Sequence, residues 1–549
     1  MESGDDNTTF FHAFAKGRKS LNAIWKLNTP EGEEVSSFEG MANEGIRHFS
    51  DIFKEIDHVN MVEVVKMAHL FPGFADEMDN RALMVEVTKG ELKAVLSSFQ
   101  KDKSPSPDGW TIEFFISLYE IIGGDLLKAV EGTRTSGRIP ASFNATFIAL
   151  IPKTNSSTSL NDFRPISLCN CVYKVVSKII SRRLKVVLSH HISEEQYGFL
   201  EGRQIHEVIG VSQEGMHSLK SHKLKGVILK IDFSKAYDKV SWVYIRIILT
   251  HLGFKIGFIR WIMSCITSVS FSVLINGSAS PFFHAGRGLR QGFPLSPLLF
   301  LMVAEGLSRA LEDAKNKGLI HGVQISPNLQ ITHLLFVDDV LMYGSSSERE
   351  AGRLREILSL FSKATGMEVN ENKATLSTNL LGDQERHAYS RAFPYSHHLL
   401  EDGLKYLGLN LKPNDYQKHD WKWLLEKLEK RIFSWSHKWL SRAGWLVLVK
   451  SVLEAILVYW MSFSWIPKGI LEAARKILCS RFLWSGKEES HVTPWVRWDC
   501  IALPKSMGGW GLKNIFHFSK ALAAKGGWRL IKTSSLWTQV LSQKYLAYF

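Results

Sequence analysis

Two short apolar runs, each ending at an aspartate, constrain this 549-residue chain more than any other feature. The first, Val227 to Ile231, ends at Asp232, and the second, Leu334 to Val337, ends at Asp338-Asp339. Apolar runs of this length predict strands, and an Asp-Asp pair between two of them is most often a hairpin turn. Two adjacent carboxylates held near a third repel one another and need a cation to stay ionised.

Phosphoryl transfer would explain such a group of carboxylates. Two Mg²⁺ ions about 4 Å apart can activate an attacking hydroxyl and stabilise a leaving pyrophosphate. Such hard cations prefer oxygen ligands, which carboxylates on separate strands supply. The sequence therefore predicts a two-metal site.

Strand-like and helix-like segments alternate through the middle of the chain. Phe271 to Ile275 is a further apolar run, and Val172 to Leu188 and Ser296 to Lys315 have helical patterns. This mixture predicts an α+β fold in which three or more antiparallel strands are backed by helices. Residues 1–90 are expected to be mainly helical.

Charge and tryptophan are concentrated near the end of the chain. Residues 411–549 hold 22 basic and 9 acidic side chains, whereas residues 1–410 balance at 45 of each. Thirteen of the 17 tryptophans lie at or beyond Trp421. A basic, Trp-rich helical region favours binding of a polyanion such as nucleic acid, although most of these tryptophans are expected to be core residues.

Cysteine usage and hydropathy indicate a soluble intracellular protein. The five cysteines form no C-x-x-C pair, so reduced thiols are expected. The acidic, polar N-terminus is not a secretory signal. The most apolar stretch, Leu446 to Trp465, is interrupted by Lys450 and Glu454, which argues against a membrane span.

Seven motifs, in the expected order, resemble those of the reverse transcriptases of plant LINE-type (non-LTR) retrotransposons. They are Leu150-Ile-Pro-Lys153, Phe163-Arg-Pro-Ile-Ser-Leu168, Asp232-Phe-Ser-Lys-Ala-Tyr-Asp238, Gly288-Leu-Arg-Gln-Gly-Phe-Pro-Leu-Ser-Pro-Leu-Leu-Phe300, Phe336-Val-Asp-Asp339, Gly366 to Lys373 and Tyr406-Leu-Gly408. Gly4 to His12 resembles the linker that precedes the polymerase in plant elements. The resemblance implies an RNA-directed DNA polymerase with a right-hand fold.

The resemblance also implies a role for each matching residue. Asp232, Asp338 and Asp339 correspond to the metal-binding triad for two Mg²⁺ ions, for which Mn²⁺ could substitute, and Lys373 to the lysine that assists the leaving pyrophosphate. Lys153, Arg164, Phe233, Tyr237, Gln291 and Gly292 correspond to nucleotide-binding positions, where the Tyr237 ring would exclude a ribose 2′-hydroxyl. Tyr406, Leu407 and Gly408 correspond to the primer grip. Asp238 and Ser241 are interpreted as helix-start residues.

The resemblance implies that the right-hand polymerase fold is divided into the following regions. Residues 1–90 form an N-terminal helical extension, and residues 91–225 form the fingers. The reverse transcriptase domain spans residues 134–410, with the palm core at 226–410. Residues 411–549 form a basic helical thumb.

Several departures from the family pattern bear on activity. Phe293 stands where the family has Asp, inside the loop beside the nucleotide, and Val337 replaces Ala. Ser104 and Ser106 replace Ala and Gly in the turn before Pro107. Nothing in the chain resembles the endonuclease that usually precedes the polymerase, so a fragment or degenerate copy is expected.

Three functions are consistent with these observations. The first is a reverse transcriptase whose partners are an RNA template, a DNA primer or duplex and dNTPs, with no membrane and no obligate protein partner. The second is a catalytically inactive nucleic-acid-binding remnant, and the third is an intron maturase. Retrotransposition onto chromosomal primers would imply the nucleus.

Overall fold

The computed structural model describes residues 16–17, 19–20, 22–54, 60–101, 106–154, 157–433, 442–478, 483–484 and 495–546. Within these residues the α-helices are α1 (Phe38–Phe53), α2 (Met61–Ala68), α3 (Glu77–Leu83), α4 (Lys89–Ser97), α5 (Ile112–Ser117), α6 (Tyr119–Ser136), α7 (Ala141–Asn144), α8 (Cys171–Leu188), α9 (Ile205–Ser221), α10 (Trp242–His251), α11 (Ile256–Thr267), α12 (Ser296–Asn316), α13 (Glu348–Thr365), α14 (Asp383–Ala392), α15 (Lys422–Phe433), α16 (Arg442–Leu448), α17 (Glu454–Met461), α18 (Lys468–Lys476), α19 (Trp498–Ile501), α20 (Ile515–Lys532) and α21 (Leu536–Leu541). Helices α8 and α12 confirm the helices predicted at Val172 to Leu188 and at Ser296 to Lys315.

The strands form two five-stranded sheets and three two-stranded pairs. They are β1 (Leu27–Asn28), β2 (Glu34–Val35), β3 (Ala145–Pro152), β4 (Phe163–Cys169), β5 (Gly226–Ile231), β6 (Ser270–Ile275), β7 (Ser278–Ala279), β8 (Phe283–His284), β9 (Val323–Ser326), β10 (Leu329–Ile331), β11 (His333–Phe336), β12 (Asp339–Gly344), β13 (Thr375–Asn379), β14 (Ser396–Leu399), β15 (Leu404–Tyr406) and β16 (Leu409–Leu411). Strands β5, β6 and β11 lie where apolar runs predicted them. The mixed α/β character is confirmed.

The first sheet has the strand order β4-β3-β6-β7, with β8 also paired to β6. Strand β3 is antiparallel to β4 and parallel to β6, where Ala149 pairs with Leu274. Helix α1 begins at its N-cap Ser37, whose side chain accepts a hydrogen bond from Gly40 N–H. Its apolar face packs on this sheet, where Phe53 stacks on Phe271 with ring centroids 4.8 Å apart.

The second sheet has the order β11-β12-β5-β13-β14. Four of its strands are antiparallel neighbours, as predicted, but β13 and β14 run parallel, so the sheet is mixed. The middle strand β5 is buried along almost its whole length, which explains why it reads as a continuous apolar run. Because β5 is buried, its register against β12 and β13 is fixed. Asp232 therefore follows the end of β5 at one edge of the sheet.

The C-terminal region is helical and returns to pack on α9. Buried Glu207 of α9 accepts a hydrogen bond from Arg529, and Glu214 forms a 2.7 Å ion pair with Lys544. Trp421 and Leu428 are core residues, as predicted, while Trp435 and Trp439 lie outside the described residues. Other tryptophans do not follow the core prediction, since Trp465, Trp495 and Trp528 are more than 60% exposed.

One helical stretch among the described residues, Ala443–Met461, is long and apolar enough to cross a membrane by length and composition alone. It runs through α16, a π-helical turn at Val449–Leu453 and α17. Its Glu454 side chain is buried and accepts a hydrogen bond from Lys513 N–H, and Lys450 donates to the Trp510 carbonyl. The stretch therefore packs against other parts of the protein through polar contacts.

Candidate active site

The pairing of β5 with β12 brings the predicted carboxylates to one edge of the second sheet. Val340 pairs with Ile231 in antiparallel register, so the next residues along, Asp339 and Asp232, lie across from each other. Asp338 lies in the tight turn that joins β11 to β12, where Phe336 pairs with Asp339. The hairpin expected from the Asp-Asp pair is confirmed.

These carboxylates affect one another electrostatically. Burial raises the pKa of Asp338, and the neighbouring charge of Asp232 adds to the shift. Burial also raises the pKa of Asp339 to about 6, and repulsion from Asp338 contributes. Two cations offset part of this repulsion: Lys230 acts on Asp339, and Lys373, whose ammonium is 3.7 Å from Asp232 Oδ1, acts on both Asp338 and Asp339.

This arrangement fits a divalent cation in donor type and charge. Hard cations take carboxylate oxygens, and a cation would relieve the repulsion that raises both pKa values. Among the residues that the structure describes, however, no group of three or more His, Cys, Asp and Glu side chains is already arranged to hold a metal ion. The carboxylates thus share an edge without converging on one point.

The turn before Asp338 depends on Gln196, which belongs to none of the matched motifs. Val337 has a φ of +63°, which is rare for a β-branched residue. The buried side chain of Gln196 accepts hydrogen bonds from Val337 N–H and from Gly198 N–H, both at 3.0 Å. A Cβ on Gly198 would lie 2.3 Å from a Val337 methyl group, so only glycine fits there.

A cavity of about 210 Å³ brings several predicted residues together, and it reaches the carboxylates through Lys373, which is 3.7 Å from Asp232. Lys153, Arg164, Gln291 and Lys373 all line it. The β3–β4 pair positions the first two, because Arg164 lies opposite Ile151, two residues before Lys153. The polar lining residues that sequence reasoning did not assign to the site include His48, Asn161 and Lys235.

The remaining nucleotide-site predictions are placed as follows. Tyr237 stacks on Phe300 with ring centroids 4.4 Å apart, and burial followed by the nearby Asp338 charge raises the pKa of its hydroxyl. Gly292 is exposed, with a φ of +86° that suits glycine. The Phe233 side chain is buried near Phe361 and does not line the cavity.

Asp238 and Ser241 differ from each other, although both were interpreted as helix-start residues. Ser241 caps α10 by accepting a hydrogen bond from Tyr244 N–H, as predicted. Asp238 lies in the first turn of the short 3₁₀ helix Ala236–Lys239, which agrees with a helix-start position, although it is buried and this helix has no side-chain cap. Burial raises the pKa of Asp238 to about 7.

Phe293 fills a buried position in its loop. Its ring lies 4.3 Å from the Arg290 guanidinium, which lies equally close to the Tyr173 ring. Arg290 is itself buried and donates to Thr146 Oγ1 at 3.0 Å and to the Cys265 carbonyl at 2.7 Å. At the position where the family has an aspartate, this chain therefore has a phenylalanine in cation–π contact with Arg290.

The segment matched to the primer grip is a tight turn between β15 and β16. Leu407 and Gly408 both have positive φ, +47° and +84°, as a two-residue hairpin turn requires. Tyr406 is fully buried, and burial raises the pKa of its hydroxyl, with a further contribution from Asp339. The turn thus lies within electrostatic reach of the carboxylates.

A larger cavity of about 630 Å³ lies between α9, the end of α17 and α20. Its lining includes His206, Trp465, Lys525, Arg529 and Trp537, and none of the predicted site residues. We assign the candidate active site to the smaller cavity, because that cavity adjoins the carboxylates and carries the predicted cations.

Comparison with known proteins gives one family match and several relatives. Residues 151–411 match the family described as reverse transcriptase (RNA-dependent DNA polymerase). An uncharacterised 149 kDa protein of transposon TX1 from Xenopus laevis is 26% identical over 514 residues, which is 92% of this chain and 38% of that protein. A putative ribonuclease H protein from Arabidopsis thaliana is 38% identical over 123 residues, or 22% of this chain and 20% of that protein.

A third relative is the retrovirus-related Pol polyprotein of the type-2 retrotransposable element R2DM from Drosophila melanogaster. It is 29% identical over 225 residues, which is 41% of this chain and 21% of that polyprotein. The chain thus spans well under half the length of these relatives. The domain match and these relatives support the prediction that this chain carries the reverse transcriptase domain of a non-LTR retrotransposon.

Proposed function

We propose that this chain is an RNA-directed DNA polymerase that extends a primer 3′-hydroxyl with dNTPs by two-metal nucleotidyl transfer. The observation that carries the proposal is that Asp232 and the Asp338–Asp339 turn lie at one edge of the second sheet, next to a cation-lined cavity. Reverse transcriptase domains use divalent metal ions and bind an RNA template and a DNA primer. Two Mg²⁺ ions, or Mn²⁺ in their place, would activate the attacking oxygen and stabilise the leaving pyrophosphate.

In this proposal Asp232, Asp338 and Asp339 are the residues that would hold the metal ions. Lys373, 3.7 Å from Asp232, balances the carboxylate charge and lines the cavity that would receive the pyrophosphate. A lysine in that position can neutralise the leaving group or donate a proton to it.

Most of the other predicted residues contact the nucleotide or the primer. Lys153 and Arg164 bind the triphosphate, the lysine by charge and the guanidinium by paired hydrogen bonds. Gln291 and Gly292 support the nucleotide and the template base, whereas Phe233 packs in the core against Phe361 and does not line the cavity. The Tyr237 ring excludes the ribose 2′-hydroxyl, while Tyr406, Leu407 and Gly408 hold the primer.

In the same proposal the protein is a right hand. Residues 91–225 are the fingers, residues 226–410 are the palm, and residues 411–549 are a thumb that binds the duplex through phosphates. The 38% identity to an Arabidopsis thaliana protein supports the further proposal that the element is of plant type. Use of chromosomal primers would require entry into the nucleus.

Primer extension on an RNA template with Mg²⁺ tests the activity. The wild-type chain should extend a DNA primer, and Asp338→Ala should abolish extension because a metal ligand is lost. The matched control is Asp125→Ala, which removes an exposed carboxylate on α6 and should extend normally.

The competing proposal is an inactive nucleic-acid-binding remnant, which the replacement of the family Asp by Phe293 favours. Salt-sensitive RNA binding without extension by the wild-type chain, in Mg²⁺ or in Mn²⁺, would support the remnant and contradict the polymerase. RNA binding should fall steeply with salt for a polymerase and for an inactive remnant alike. Primer extension is therefore the measurement that distinguishes the two proposals.

A further inference from the structure

His48 lies on α1, in a region where the sequence showed no chemistry, yet its side chain lines the small cavity beside the carboxylates. The packing of α1 on the first sheet explains this position. Phe49 and Ile52 join the core under that sheet, and the carbonyls of Ile52 and Phe53 accept hydrogen bonds from the segment at Arg287. Helix α1 is therefore held rigidly against the site.

The imidazole of His48 is paired with a lysine of the first metal-binding motif. Lys235 Nζ lies 3.4 Å from His48 Nε2 and 3.3 Å from Asn161 Oδ1. Lys153 Nζ donates to the Asn161 carbonyl at 2.7 Å, so Asn161 joins the two lysines. Burial lowers the pKa of His48 to about 4, and the Lys235 charge adds to this effect. At neutral pH the imidazole is uncharged and can donate one N–H.

The composition of the cavity points to an anionic ligand. Lys153, Arg164, Lys235 and Lys373 contribute four cations, and the one carboxyl in the lining belongs to the buried Asp238. Its volume of about 210 Å³ is below the roughly 300–1,000 Å³ of pockets that enclose a drug-sized ligand. The cavity therefore suits a phosphate chain better than a whole nucleotide.

We propose that α1 is part of the nucleotide site, where His48 and Lys235 together bind the terminal phosphates of the incoming nucleoside triphosphate. This inference rests on the proposed polymerase function and adds a phosphate contact from outside the family match, which begins at residue 151. His48 supplies a neutral donor and Lys235 supplies the charge, so loss of either weakens phosphate binding without altering the metal ligands.

The experiment compares two substitutions of His48 in the full chain. His48→Phe keeps a ring for the edge-to-face contact with Phe49 but removes the donor, whereas His48→Gln keeps a neutral donor. We expect His48→Phe to raise the KM for dNTP about tenfold with kcat changed by less than about threefold. His48→Gln should stay within about threefold of wild type in both constants.

A second readout needs no catalysis. Inorganic tripolyphosphate binding, measured by calorimetry without template or primer, should weaken about tenfold in His48→Phe. The control is His387→Phe, an exposed histidine on α14 that does not line the cavity, and it should bind like wild type. If tripolyphosphate binding depends on His48 but the wild-type chain extends no primer, the polymerase proposal fails while the phosphate site stands.

Three results would overturn the inference. The first is unchanged tripolyphosphate affinity and unchanged KM in His48→Phe. The second is a fall in kcat alone, which would place His48 in another role. The third is an equal loss in His48→Phe and His48→Gln together with a lower Tm, which would mean that His48 only supports the packing of α1.

Discussion

Gln196 holds Val337 in a left-handed backbone conformation one residue before Asp338, through a 3.0 Å hydrogen bond to the Val337 N–H. A non-glycine residue in this region costs about 1–3 kcal/mol, so it persists only where its surroundings fix it. Substitution Gln196→Leu removes the acceptor and should let the turn relax, which moves Asp338. We expect the rate of primer extension to fall about tenfold or more, with RNA affinity unchanged.

The Mg²⁺ dependence of extension distinguishes positioning from general destabilisation. Gln196→Leu should require several-fold more Mg²⁺ for half-maximal rate, because the carboxylates no longer have the right spacing. Adding Val337→Gly should recover part of the rate, since glycine adopts positive φ without strain. Loss of rate with an unchanged Mg²⁺ requirement and no recovery would contradict this role.

Tyr237 is expected to select deoxynucleotides. Its ring is fixed by stacking on Phe300, so it forms a rigid wall near Asp338. Tyr237→Ala should raise the use of a ribonucleotide relative to the matching deoxynucleotide by about tenfold or more, because the steric barrier is lost. Relative kcat/KM values on one primer-template measure this ratio, and Tyr237→Phe should leave it unchanged. Equal ratios in wild type and Tyr237→Ala would refute the assignment.

Phe293→Asp should increase polymerase activity if the altered loop limits it. The buried Arg290 guanidinium lies 4.3 Å from the Phe293 ring and could form an ion pair with an aspartate there. We expect a rise in extension rate of about threefold, measured with saturating template and primer. Phe293→Leu, which removes the ring without adding charge, should give no increase. An unchanged rate in Phe293→Asp would exclude this loop as the limit.

Glu305 should make stability depend on pH. It is 2% exposed, accepts hydrogen bonds from Ser193 and Arg309, and burial raises its pKa from 4.5 to about 7. Between pH 4.5 and about 7, the Glu305 carboxyl is protonated in the folded state and ionised in the unfolded state. The free energy of unfolding contributed by Glu305 should therefore fall with rising pH, by up to about 1.4 kcal/mol per pH unit.

Urea unfolding of wild type and Glu305→Gln across this pH window measures that contribution. The difference between their unfolding free energies should shift in favour of the glutamine variant as pH rises from 4.5 to about 7. The glutamine keeps an acceptor for Ser193 and carries no proton to lose. A constant difference would show that Glu305 stays ionised throughout.

The sequence predicted elements well where local pattern and tertiary packing agree. The apolar run before Asp232 is a buried strand, and Ser296 begins a long helix as its periodicity indicated. The parallel pairing of β13 with β14 was missed. Pairing between strands depends on tertiary contacts, which no local pattern records.

The candidate site was predicted mainly where residues occupy recognised motif positions, although Lys235, which lines the cavity, belongs to a motif and was not assigned a role. Lys153, Arg164 and Lys373 line one cavity, as their motif positions implied. His48 and Gln196 lie outside those motifs and reach the site only through the packing of α1 and of the segment beside β11. Nothing in their local sequence distinguishes them from ordinary polar residues.

The parallel pairing of β3 with β6 has a consequence for synthesis of the protein. Ala145 pairs with Ser270, so the first sheet needs strands that leave the ribosome far apart in time. Until residue 275 has emerged, β3 offers an open edge to other nascent chains, which makes early intermediates prone to aggregation. Fragments that end before β6 should therefore be recovered mainly as insoluble material.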